Sequence, residues 1–160
     1  MTSESDALYK SESRNGLGVF AKKIFLKEEF ILKFDGPLLD YDAVNGENTN
    51  SYHAHYCIQI DKRSYIGAGW GIDDYVNHSC DPNSGIKKIA DNFILIALRD
   101  IILGEEITFD YSTYMDENNW EMDCNCGSQN CRGRIRDFKY LSKDMQHHYR
   151  LLGIVGDFIN

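Results

Sequence analysis

The sequence is short of positive charge. Its 17 Lys and Arg residues face 25 Asp and Glu residues, so its net charge is −8. Nucleic-acid-binding surfaces depend on clustered Lys and Arg, so this balance predicts no direct binding to nucleic acid. An acidic surface suits a basic protein or peptide as a partner, but acidity also serves solubility alone, and charge by itself does not separate the two.

The sequence also has no run of about 18 apolar residues, so no segment is predicted to span a membrane. Residues 1–6 have neither the basic start nor the apolar stretch of a signal peptide. We therefore expect an intracellular protein, cytoplasmic, or nuclear if its source is a eukaryote. In such a reducing compartment the five cysteines are expected to be metal ligands or free thiols rather than disulfides.

What is present suits one globular, mostly β domain. Hydrophobic residues make up 42% of the 160 residues, enough for a core. Short runs rich in β-branched and aromatic residues predict strands at 19–25, 30–34, 56–60, 64–66, 85–90, 93–98 and 106–111. Turn residues at 61–63 and 91–92 predict two hairpins.

The remaining segments carry weaker patterns. Residues 1–12 are polar and expected to fray, and residues 40–51 predict a surface loop with a short helix. Residues 115–136 are loop-like. Helical spacing predicts a helix over 142–158, with Leu151, Leu152, Ile154 and Val155 as its apolar face.

A polar loop near the C-terminus contains a cysteine motif. Cys124, Cys126 and Cys131 form C-x-C-x4-C, and tetrahedral zinc takes four ligands. Cys80 is the best candidate for the fourth, whereas Cys57 lies in a strand-like run and is interpreted as a small buried hydrophobe. The alternative is three unrelated cysteines in a loop. Zinc would supply the free energy needed to order a loop with so few apolar residues.

Two histidines also alternate along the chain. His53 and His55 lie two positions apart, a spacing that places both side chains on one face of a strand. Such a pair is able to bind metal, but we interpret it as a solvated pair.

Three sequence blocks carry a family resemblance. Residues 77–83 read N-H-S-C-D-P-N, residues 104–111 read G-E-E-I-T-F-D-Y, and the cysteine motif follows. In this order they resemble the SET and post-SET motifs of protein lysine methyltransferases. G-L-G-V-F-A at 16–21 resembles the first SET motif, and F-D-G at 34–36 resembles the turn after the second strand.

The resemblance covers residues 14 to about 136 and implies an organisation. Residues 13–114 would be the SET domain, 115–136 the post-SET zinc loop and 137–160 a helical tail. The implied fold consists of several small sheets with a C-terminal pseudoknot that brings 77–83 beside 108–111. No cysteine-rich segment precedes the first motif, so no pre-SET region is expected within this chain.

The resemblance also implies an activity. Such proteins transfer methyl groups from S-adenosylmethionine to a lysine side chain of a protein, and a histone tail is the first candidate substrate. Tyr111 matches the catalytic tyrosine, and Tyr56 is expected to line the lysine channel. Phe109 lies where a tyrosine would restrict the product to one methyl group, so more than one is expected here.

Other positions match the binding motifs. Gly16, Leu17 and Gly18 would let the backbone approach the cofactor, and Asn77 and His78 would bind it together with Tyr111. Ordinary turn chemistry is the alternative for these positions. The zinc ligands would be the four cysteines Cys80, Cys124, Cys126 and Cys131.

One position departs from the pattern. Asp74 lies where many members carry arginine, which puts in doubt one cofactor contact or one loop-anchoring ion pair. Two other functions stay open: a zinc-stabilised module that binds basic peptides without catalysis, and a small metal-storage or redox protein. The cofactor motif at 77–78 together with Tyr111 disfavours the first, because a pure binder needs no cofactor residues.

Overall fold

Twelve short strands dominate residues 6–46 and 55–160, which are the residues that the computed structural model describes. The strands are β1 (Leu8–Ser13), β2 (Gly16–Ala21), β3 (Phe30–Lys33), β4 (Leu38–Asp40), β5 (Ile58–Asp61), β6 (Ser64–Ile66), β7 (Asn77–His78), β8 (Ser84–Ile89), β9 (Asn92–Ala97), β10 (Glu106–Phe109), β11 (Met122–Asp123) and β12 (Arg134–Ile135). The helices are α1 (Tyr41–Asn45) and α2 (Lys143–Leu152), with 3-10 turns at Asp73–Tyr75, Tyr111–Tyr114 and Phe138–Tyr140. None of the described helices has the length and apolar character needed to cross a membrane.

The strands form four small sheets. Their orders are β1-β2-β10-β7, β3-β9-β8, β4-β6-β5 and β11-β12. Strand β10 pairs in parallel with β7, so that Thr108 lies opposite Asn77 and Phe109 opposite His78. Two segments about 30 residues apart therefore lie side by side, as the family resemblance implies, and the mostly β prediction is confirmed.

The predicted strands and both hairpin turns are present, with boundaries shifted by at most four residues. The exception is the N-terminal segment, where the prediction of fraying is wrong. Strand β1 pairs with β2 along its whole length, from Leu8 opposite Ala21 to Ser13 opposite Gly16. Leu8 is buried, while the polar residues that follow alternate between exposed and half-buried. Because one apolar residue anchors the hairpin, its hydrophobic pattern is too weak to predict a strand.

The predicted C-terminal helix is present but shorter. Ser142 begins α2 by accepting a hydrogen bond from the backbone N–H of Met145, and Gly153 ends it in the left-handed conformation at φ 68°. The predicted apolar face is correct in part: Ile154 is buried and Leu152 and Val155 pack against the core, but Leu151 is 73% exposed, and the buried residue within α2 is Tyr149. The short helix expected within 40–51 is α1, and residues 47–51 lie outside the described residues.

The C-terminal segment belongs to the same core as the sheets. Tyr149, Ile154 and Phe158 join the buried cluster that strands β2, β8 and β10 also line. A Cβ at Gly85 of β8 would lie 2.7 Å from Ile154, so glycine there lets the tail pack directly on the sheet. The tail is therefore part of the structure around the site.

Candidate functional site

Four cysteines come together at the edge of the β7–β10 pair. The sulfur atoms of Cys80, Cys124, Cys126 and Cys131 all lie within 4.8 Å of one another. Four thiolates at this spacing are the donor set of a closed tetrahedral zinc site, so the residues fit the metal. The predicted fourth ligand, Cys80, joins the three of the motif although it lies 44 residues before Cys124.

Backbone hydrogen bonds hold the loop around this cluster in place. Strands β11 and β12 pair on either side of the cysteine motif, and the Cys124 N–H donates to the carbonyl of Gly133 over 3.0 Å. The backbone N–H of Arg132 donates to the sulfur of Cys80 over 3.4 Å. Amide donors of this kind stabilise thiolate ligands.

Cys57 lies apart from the cluster. It precedes β5 rather than lying within a strand, and it is half-buried in the wall of a cavity. Burial raises the pKa of its thiol to about 11. The interpretation of Cys57 as a small buried hydrophobe is thus correct in part. His55 is exposed, as expected of a solvated residue, and His53 lies outside the described residues.

Asn77 connects three neighbouring elements through its side-chain amide. Its Nδ2 donates to Ser13 Oγ at 3.0 Å, to the Leu17 carbonyl at 3.1 Å and to Glu106 Oε1 at 2.8 Å. A Cβ at Gly18 would lie 2.3 Å from Glu106 Oε1 and 3.0 Å from Asn77 Nδ2. A larger residue at 18 would force the Glu106 carboxylate and the Asn77 amide to shift. Gly16 has a positive φ of 99°, and Leu17 is half exposed on the same strand.

His78 is buried, and both of its ring nitrogens have partners. The backbone N–H of Tyr111 donates to Nδ1 over 3.1 Å, and Nε2 lies 3.2 Å from the sulfur of Cys80. Burial lowers the pKa of His78 to about 4 against the opposing charge of Asp110, so the ring is neutral at physiological pH. Because Nδ1 accepts, the single ring proton lies on Nε2 and points at Cys80.

Tyr111 opens the 3-10 turn that follows β10. Its hydroxyl donates to the carbonyl of Val76 over 2.9 Å, and its ring lies 4.9 Å from that of Phe109. Burial raises the pKa of Tyr111 above its ordinary value. The hydroxyl is therefore a protonated hydrogen-bond donor at physiological pH.

The predicted residues Tyr56, Phe109 and Tyr111 line one cavity of about 90 Å³. Trp120 and Glu117 also line it, and burial raises the pKa of the Glu117 carboxyl. Neither was predicted from the sequence, although a tryptophan in an otherwise polar loop was a usable signal. The aromatic rings of this cavity disfavour a charged amine by desolvation, whereas the carboxyl groups of Asp73 and Asp74 in the same wall favour it.

Asp74 anchors a tight turn. Its Oδ2 accepts a hydrogen bond from the backbone N–H of Trp70 over 2.5 Å. Trp70 has a φ of 63°, a left-handed conformation that is rare for a bulky residue, and its ring lies 6.0 Å from that of Tyr56. The carboxylate at position 74 thus stabilises the loop that contacts Tyr56.

The chain is similar in sequence to known proteins. A family model described as SET domain matches residues 16–112. The chain is 38% identical over 141 residues to the variant-silencing SET domain-containing protein of Plasmodium falciparum, covering 79% of this chain and 5% of that protein. It is 33% identical over 143 residues to the histone-lysine N-methyltransferase mes-4 of Caenorhabditis elegans, covering 75% and 16%. The chain thus spans less than a fifth of either relative.

A solved structure has the same fold. The crystal structure of KRYPTONITE in complex with mCHG DNA and SAH matches with a TM-score of 0.64 and 23% identity, covering 81% of this chain and 29% of that chain. The match supports several small sheets arranged as in that protein. That protein is bound to DNA, and the absence of nucleic-acid binding in this chain stays a prediction.

Proposed function

This chain belongs to the SET-domain family, and we propose that it transfers methyl groups from S-adenosylmethionine to the side-chain amine of a lysine in a basic protein. The observation that carries the proposal is the aromatic cavity beside the β7–β10 pair. Tyr111, Phe109 and Tyr56 line it together. A cavity whose wall combines aromatic rings with the acidic side chains of Asp73, Asp74 and Glu117 would accept an extended side chain with an amine at its end.

Methyl transfer requires the protein to align the lysine amine with the methyl group and to remove water from the amine. S-adenosylmethionine supplies an already activated methyl group when bound. The lysine must arrive as a neutral amine, and free lysine has a pKa of about 10.4. Aromatic walls lower that pKa because they remove water from the ammonium. Tyr111 would orient the amine through its hydroxyl rather than act as a base, since its pKa is raised by burial.

We assign the cofactor to the surface formed by Gly16, Leu17, Gly18, Asn77 and His78, next to Tyr111. The side-chain nitrogens of Asn77 and His78 already bind protein groups. Their contribution to the cofactor would therefore come mainly from backbone groups and from the Asn77 side-chain oxygen.

The four clustered cysteines would hold one zinc ion. Its binding would order residues 115–136 against the SET domain of 13–114, with 137–160 as the packed tail. Phe109 rather than tyrosine leaves space beside the amine, so we expect more than one methyl group per lysine.

A histone tail is the substrate that we expect. The chain has a net charge of −8, which favours a Lys- and Arg-rich target. The relative from Caenorhabditis elegans is named a histone-lysine N-methyltransferase. An intracellular location, nuclear in a eukaryote, follows from such a substrate.

The test is transfer of tritiated methyl groups to core histones and to a peptide array, with each peptide matched by one in which lysine is replaced by arginine. The proposal predicts label on lysine peptides alone. Zinc-loaded protein that binds the donor but labels no acceptor would favour the peptide-binding module. Label that persists on the arginine peptides would contradict lysine transfer.

A further inference from the structure

The buried carboxylate of Asp110, next to Tyr111, binds groups from three parts of the chain. Its side chain is fully buried, and Oδ1 accepts from the backbone N–H of Ser112 over 3.1 Å. Asp110 thereby caps the Tyr111–Tyr114 turn at its N-terminal end. Any movement of this carboxylate would move the start of the turn that carries Tyr111.

The first partner of Asp110 comes from the zinc loop. The guanidinium of Arg132 forms a bidentate ion pair with it, with distances of 2.7 Å to Oδ2 and 2.8 Å to Oδ1. Arg132 directly follows Cys131, and its backbone N–H donates to Cys80. This pair connects the cysteine cluster to the turn.

The second partner comes from helix α2. The hydroxyl of Tyr149 donates to Asp110 Oδ2 over 3.0 Å, across 39 residues of sequence, and both side chains are buried. The segment after α2 adds a backbone contact, because the Gly156 N–H donates to the Thr113 carbonyl over 2.9 Å. The tail thus contacts the Tyr111–Tyr114 turn at both ends.

The buried carboxylate of Asp110 depends on its donors, because a carboxylate away from water is stable only when its oxygens are hydrogen-bonded. Hydrogen bonds to a charged group are also stronger and more directional than neutral ones. Arg132 binds both oxygens of the carboxylate, and the Ser112 N–H donates to Oδ1. The hydroxyl of Tyr149 on α2 adds a further donor to Oδ2, so the carboxylate is held by the zinc loop, the turn and the tail together.

We propose that Tyr149 is a positioning residue for methyl transfer: its hydroxyl holds Asp110, and Asp110 holds the turn that places Tyr111 in the cavity. The inference rests on the proposed function. It gives the C-terminal tail a role in the site that none of the sequence motifs contains.

The test substitutes Tyr149→Phe, which keeps the ring in the core and removes only the hydroxyl. Tyr140→Phe is the matched control, because Tyr140 lies in the same tail with its side chain half exposed. Two readouts are needed for zinc-loaded protein. One is amide hydrogen exchange in residues 110–114, and the other is kcat together with the KM values for donor and acceptor.

We expect exchange in residues 110–114 to become about tenfold faster in Tyr149→Phe, with strands β8 and β9 unchanged. We expect kcat to fall about tenfold, with both KM values within about twofold, because a misplaced Tyr111 affects alignment more than binding. Tyr140→Phe should match the wild type in all of these.

Two results would overturn the inference. One is wild-type exchange and kcat in Tyr149→Phe. The other is faster exchange throughout β8 and β9 as well, which would make Tyr149 a general stabilising residue. If the wild type transfers methyl to no acceptor, the proposed function fails by itself, and the exchange comparison still decides whether Tyr149 holds the turn.

Discussion

The backbone N–H of Tyr111 donates a hydrogen bond to Nδ1 of His78 over 3.1 Å. The other ring nitrogen of His78 lies 3.2 Å from the sulfur of Cys80. One neutral imidazole therefore joins the residue that we assign to catalysis to a residue that we assign to zinc.

Substituting His78→Ala should weaken both sites. Loss of the Nε2–H donor to Cys80 should lower zinc affinity about 10- to 100-fold, as for other groups that hydrogen-bond metal ligands. Competition with a chromogenic chelator measures this affinity. His148→Ala, an exposed position on α2, should leave it unchanged. Equal zinc affinity in wild type and His78→Ala would show that the ring does not support the ligand.

The pH dependence of kcat should have no contribution from Tyr111. Since burial raises the pKa of Tyr111 above its ordinary value, the phenol stays protonated throughout the neutral and mildly alkaline range. We expect kcat to rise with pH as the target amine loses its proton, and then to level off below about pH 10. A titration in this range that disappears in Tyr111→Phe would mean that the phenolate acts as a base.

Chelation of zinc should expose four thiols. The chain has five cysteines, and the half-buried Cys57 lies outside the cluster, so its reaction with thiol reagents should not depend on the chelator. Thiol titration before and after addition of a chelator measures the difference. The Cys57→Ser variant should still release four. Release of fewer than four in that variant would mean that one cluster cysteine is not a ligand.

Gly18→Ala should destabilise the fold around the cofactor motif. The new Cβ would meet Glu106 Oε1 at 2.3 Å and Asn77 Nδ2 at 3.0 Å, so the hydrogen bonds of Asn77 must shift. We expect a loss of about 1–3 kcal/mol in the free energy of unfolding, measured by urea denaturation. Leu17→Ala, next to it on β2 and half exposed, should lose much less. Equal losses would mean that the close packing at Gly18 is relieved without cost.

Much of the fold could be predicted from the sequence because its strands carry local patterns. Strand β9 is a short apolar run that turn residues separate from β8, and the two strands form the hairpin that this pattern predicts. Strand β1 could not be predicted, since its pairing partner β2 rather than its composition makes it a strand. Helix α2 ends early because Gly153 takes a left-handed conformation, which spacing alone does not reveal.

Only the site residues that belong to the sequence motifs could be predicted. Tyr56, Phe109 and Tyr111 lie around one cavity, and the four cysteines lie in one cluster, although residue roles at these positions stay proposals. The convergence of Arg132 and Tyr149 on Asp110 depends on the packing of a loop and a helix against the turn. No periodicity or spacing connects these residues. Asp74, a departure from the family pattern, proved to anchor the Trp70 turn.

The most direct test is the rate at which zinc-loaded wild type and Tyr111→Phe move methyl groups from S-adenosylmethionine to lysine, followed by mass spectrometry of the acceptor and paired with calorimetry of donor binding. The account predicts that Tyr111→Phe transfers at least about 100-fold more slowly while its affinity for the donor stays within about twofold. Wild-type rates in Tyr111→Phe, or no donor binding by the wild type, would contradict it.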